Sequence, residues 1–149
     1  MPMSVFLVVL HVVSGVFIIG PMAVLPMLGL RALRSRKPSE VTALAKSVKF
    51  FSLLSLVVVF LGFAALGMSA PKDNFSITST WVWVSLVAYA IGLALNLVIV
   101  VPALRSAATS LDTGTVGGVR VAGYSRISAG SGTVALLLVI IVVLMVWKP

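Results

Sequence analysis

The 149-residue chain has no cysteine, one histidine (His11) and three acidic residues. The lack of cysteine excludes disulfides, thiolate metal sites and cysteine nucleophiles. The three acids, Glu40, Asp73 and Asp112, all fall in links between apolar runs. The runs therefore offer no carboxylate for a proton relay or a carboxylate-lined cation path. With one histidine there is no Ser/His/acid set at membrane depth, and no protein-only zinc site within one chain. Charged residues are also scarce, at 9%, against about 25% in soluble domains. What fills their place is 60% hydrophobic residues and a mean hydropathy of +1.22. The chain reads as one integral membrane domain over residues 1–149.

Four apolar runs are long enough to cross a hydrocarbon core, which takes about 20 helical residues. Their expected extents are about 3–28, 39–68, 81–102 and 127–147. The expected fold class is all-α, a four-transmembrane-helix up-down bundle with short links. No cationic head precedes the first run and no small-residue cleavage site follows it, so it reads as a span and not as a cleaved signal peptide. Pro21 lies inside the first run and predicts a kink; Pro102 is expected to end the third helix. Pro38-Ser39-Glu40 reads as a helix start, with Glu40 in the first turn.

The net charge of +8 does not point to nucleic acid. Arg31, Arg34, Arg36, Lys37, Lys46 and Lys49 lie in the first link, and Arg105, Arg120 and Arg126 in the third. Only Lys72 and Lys148 lie on the other side. The positive-inside rule then predicts that both termini lie outside the cytoplasm. Trp81, Trp83 and Trp147 fall at the outer boundary in that orientation, where aromatic belts sit. Asn74-Phe75-Ser76 matches a glycosylation acceptor, and the glycine-rich third link lacks the spacing of a phosphate-binding loop.

His11 is the candidate site. On a 3.6-residue period it shares a face with Ser4, Leu7, Ser14, Gly15, Ile18 and Met22. Ser85, Tyr89, Gly92 and Asn96 form a stripe on the third helix. Ser52, Ser55, Val59, Gly62 and Leu66 form a small-residue face on the second, which permits close helix approach. Counted from the outer end, His11 is roughly 10 Å deep. Gly62, Ser85 and Tyr89 are at similar depth. The expected partner of His11 is therefore on the third helix, Tyr89 first and Ser85 second.

Leu10-His11, Ser14-Gly15, Gly20-Pro21, the basic first link and the closing Met145-Val146-Trp147-Lys148-Pro149 resemble a family of small four-helix bacterial predicted integral membrane proteins of unknown function. More distantly, a first-helix histidine before a Gly/Pro-marked helix end is similar to the four-helix membrane protoporphyrinogen oxidases and the copper-resistance D proteins. That resemblance implies a haem b with His11 as iron ligand; unlike those proteins, this chain has no second histidine. Met3, Met22, Met68 and Met145 are the available second axial ligands. The favoured functional expectation is a non-catalytic membrane subunit or assembly factor, associating with other membrane proteins or with itself. The alternative is a haem-binding redox or haem-handling protein.

Overall fold

A computed structural model describes residues 2–68, 77–114 and 123–147. These form four helices: α1 Met3–Arg34, α2 Pro38–Gly67, α3 Thr80–Asp112 and α4 Tyr124–Trp147. All four are long and apolar enough to cross a membrane. The architecture is all-helical, as the hydropathy runs predict. The expected glycosylation acceptor, with Lys72 and Arg120, lies outside the described residues.

Two helices run further than the sequence suggests. α1 continues past Leu28 to Arg34, and α3 continues past Pro102 to Asp112. Pro21 and Pro102 are carried inside their helices by the same device, while Pro26 lies within the regular helix that follows Pro21. A proline ring inside a helix collides with the carbonyl four residues back. Here a π turn precedes the ring: Gly15–Ile19 before Pro21, and Leu95–Val100 before Pro102. Each π turn ends two residues before its proline. Its wider i→i+5 pattern accommodates the ring, and the Val101 N–H accordingly reaches back to the Asn96 carbonyl. The break expected at Pro102 is thus absorbed without ending the helix.

The α1–α2 turn is tight. Ser35, Arg36 and Lys37 donate to the Arg31, Leu33 and Ala32 carbonyls. Arg36 takes a positive φ of 53°, a conformation that costs a side-chain-bearing residue about 1–2 kcal/mol. Pro38 opens α2, and Lys37 pairs with Glu40 at 2.9 Å.

Around the bundle, α1 neighbours α2 and α4, and α3 neighbours the same two. All four helices meet at the basic end. Leu33, Val41, Val48, Val100, Leu104 and Ile127 interlock there and are buried. Arg34 also donates through Nε to the Tyr124 hydroxyl at 2.8 Å, tying α1 to α4. Toward the far end the closest packing is within two pairs, which the Ser55–Tyr89 hydrogen bond joins. The Met3–Ser14 segment of α1 packs on α2, and the Thr80–Ala94 segment of α3 packs on α4.

Candidate functional site

His11 sits on the α1–α2 pair, in the far half. The face predicted for α1 is the one turned inward: Ser4, Leu7, His11, Ser14, Gly15, Ile18 and Met22 are buried or half-buried, while Val8, Val9, Val12, Val13, Val16 and Phe17 are exposed. In a membrane the exposed set faces lipid.

The imidazole packs closely against Gly62. A Cβ at that position would come within 2.8 Å of His11 Cε1 and 3.2 Å of Nδ1. Without it, the ring reaches the backbone one turn earlier: His11 Nδ1 is 2.8 Å from the Val58 carbonyl oxygen. A carbonyl can only accept, so Nδ1 carries the proton. The lone pair of the neutral ring is then on Nε2, which has no hydrogen-bond partner among the described residues. Ser14 donates to the His11 carbonyl at 3.0 Å. At Gly15 a Cβ would meet Val58 Cγ1 at 3.9 Å, an ordinary contact. Gly62 thus shapes the site, whereas Gly15 only lies beside it.

The expected partners on the third helix do not meet His11. The far half of α3 packs on α4 and not on α1, so neither Tyr89 nor Ser85 bonds the imidazole. The acceptor is a backbone carbonyl of α2, a group that side-chain spacing cannot display. The readable clue was Gly62, glycine at the depth of the histidine.

Tyr89 instead organises a second polar cluster, between α2 and α3. Ser55 donates to the Ser52 carbonyl at 2.6 Å, so the Tyr89 hydroxyl, 2.7 Å from Ser55 Oγ, is the donor in that pair. Asn96 Nδ2 donates to Ser52 Oγ at 3.3 Å. Asn96 Oδ1 and Ser85 Oγ are buried with no partner among the described residues. The stripe predicted on α3 is therefore buried as a whole, and two of its members, Tyr89 and Asn96, bond to Ser55 and Ser52 on the small-residue face of α2. Replacing Tyr89 by phenylalanine is expected to lower stability by only about 0.6 kcal/mol, the mean for side-chain hydrogen bonds between membrane helices, because Ser55 keeps its own acceptor. Thermal unfolding in one detergent checks this; a loss above about 2 kcal/mol would contradict the assigned donor direction.

No group of three or more His, Cys, Asp or Glu side chains comes together among the described residues. A protein-family model described as "Predicted integral membrane protein (DUF2269)" matches residues 5–149. The chain belongs to this family. The match spans all four helices, the His11–Gly62 contact and both π turns. No curated protein and no solved structure matches the chain.

Proposed function

We propose that this family member is a non-catalytic membrane subunit or assembly factor that associates with another membrane protein or with a second copy of itself. One observation carries the reading: His11 Nε2 has no hydrogen-bond partner among the described residues, on a helix segment that packs on α2. A polar atom facing hydrocarbon without a partner is costly, and a donor on an adjoining membrane protein would satisfy it. The test is purification in several mild detergents, wild type beside His11→Ala. A complex of reproducible stoichiometry that weakens in His11→Ala is the expected result. Monomeric wild-type protein in every detergent would refute it.

The Nδ1 bond favours a second reading, haem binding. An imidazole that donates through one nitrogen to a carbonyl is oriented to ligate metal through the other. Gly62 leaves the space that the ring occupies. On the ring's own helix, Met3 lies eight residues toward the N-terminus and Met22 is buried. The chain would supply one axial ligand, His11, and a bound haem b would supply one-electron chemistry. The same purified samples decide this reading by colour. A Soret band lost in His11→Ala supports it; colourless protein after haem reconstitution refutes it.

The orientation we propose places the basic end in the cytoplasm of a bacterium, at its inner membrane, with both termini outside. The Lys/Arg asymmetry of the links supports it. Cysteines introduced singly as Ser35→Cys and Ile77→Cys report it, both sites being exposed. An impermeant thiol reagent should label position 77 in intact cells and position 35 only after lysis. The reverse pattern overturns the orientation.

A further inference from the structure

We propose that a groove between α3 and α4 at the basic end binds one anionic phospholipid, its phosphate at Arg126 and an acyl chain along α3. The inference is independent of the roles suggested for His11. The groove has a volume of about 910 Å³, within the range of small-molecule sites, about 300–1,000 Å³. Polarity runs one way along it. Leu95, Val98 and Ile99 line the deep part on α3, and Val98 is 71% exposed. Ser106 on α3, with Ser125 and Arg126 at the start of α4, lines the mouth. The two walls are antiparallel helices, yet the arginine and the serines of both lie at the same end; Thr133, deeper on α4, donates its hydroxyl to the Ala129 carbonyl of its own helix at 2.8 Å. This is the order of a lipid molecule, headgroup at the boundary and chain in hydrocarbon.

The charge at the mouth selects the headgroup. Arg126 forms no ion pair among the described residues. Of the two acids described at this end, Glu40 is held by Lys37 at 2.9 Å, and Asp112 is not part of the lining. Arg31, Arg34, Arg36 and Arg105 add to the positive field. Basic sites between membrane helices recognise anionic lipid headgroups in this way. A neighbouring protein helix has no need of a cation at one end of its groove; an anionic lipid does.

Native mass spectrometry of the full chain, equilibrated with phosphatidylglycerol or phosphatidylcholine of identical acyl chains, tests this. Wild type should retain phosphatidylglycerol roughly five-fold better, the effect of about one basic residue at an anionic surface. Arg126→Gln should abolish the preference. Lys46→Gln removes an exposed charge outside the groove and should leave it intact. Ala129→Phe, which fills the groove from α4, should weaken retention of both lipids. Equal retention by wild type, a preference that survives Arg126→Gln, or displacement of the lipid by millimolar inorganic phosphate would overturn the proposal. If Ala129→Phe fails to fold, judged by its melting curve, Arg126→Gln against Lys46→Gln still decides.

Discussion

Replacing Gly62 by leucine is expected to destabilise the protein by about 1–3 kcal/mol, the usual range for forcing volume into a packed contact. The first added carbon would lie 2.8 Å from His11 Cε1. The imidazole has no easy escape, because Nδ1 is held by the Val58 carbonyl at 2.8 Å. A leucine would also screen that carbonyl, so the ring would be displaced and would lose its acceptor. The far half of α1 packs on α2, and little else holds it in place once that contact opens. The measurement is thermal unfolding of wild type, Gly62→Leu, His11→Ala and the double variant in one detergent. Removing the ring removes the clash, so the double variant should be more stable than the sum of the single losses predicts. Strict additivity would show that residues 11 and 62 do not touch.

The second large effect is expected at Leu104, which is fully buried where the four helices meet. Leu104→Ala should cost about 2–3 kcal/mol, the lower part of the range for a buried leucine truncated to alanine. The lower part applies because association of helices in lipid rests on packing and not on transfer from water. Gly29 faces this side chain so closely that a Cβ there would lie 2.7 Å from Leu104 Cδ2. Glycine and leucine thus fit one into the other across α1 and α3. Gly29→Ala alone should destabilise, and the same change made in Leu104→Ala should restore part of the loss by refilling the space. If Gly29→Ala costs as much with alanine at 104 as with leucine, the two residues are not in contact.

The spans and their inward faces were legible because a membrane makes a sharp contrast between polar and apolar surface. The seven-residue face of α1 and the Ser85–Asn96 stripe of α3 both turn inward as their spacing predicts. Helix ends were less legible. Pro102 reads as a terminator because a ring without an N–H ordinarily stops a helix, and nothing in Leu95–Val100 announces a π turn. The neighbour of His11 was misread for a different reason. Depth counts place Gly62, Ser85 and Tyr89 level with it, but they say nothing about which helices pair. The far half pairs α1 with α2 and α3 with α4, and the acceptor is main chain.

The π turn of α3 also determines where that helix can change length. Ser85 and Leu104 are nineteen residues apart, as are Tyr89 and Ala108, and all four are buried. In a regular helix with 3.6 residues per turn, such a separation leaves the two members of each pair about 100° apart around the axis. The extra residue held in Leu95–Val100 removes that difference, so the far and basic halves face the same interior. Loss of one residue between 95 and 100 would convert the π turn to ordinary helix and keep both halves in phase, but would take away the room it gives the Pro102 ring. The same loss after Pro102 would turn every later residue of α3 by about 100°, carrying Leu104 out of the core and rotating the wall that Ser106 gives to the groove.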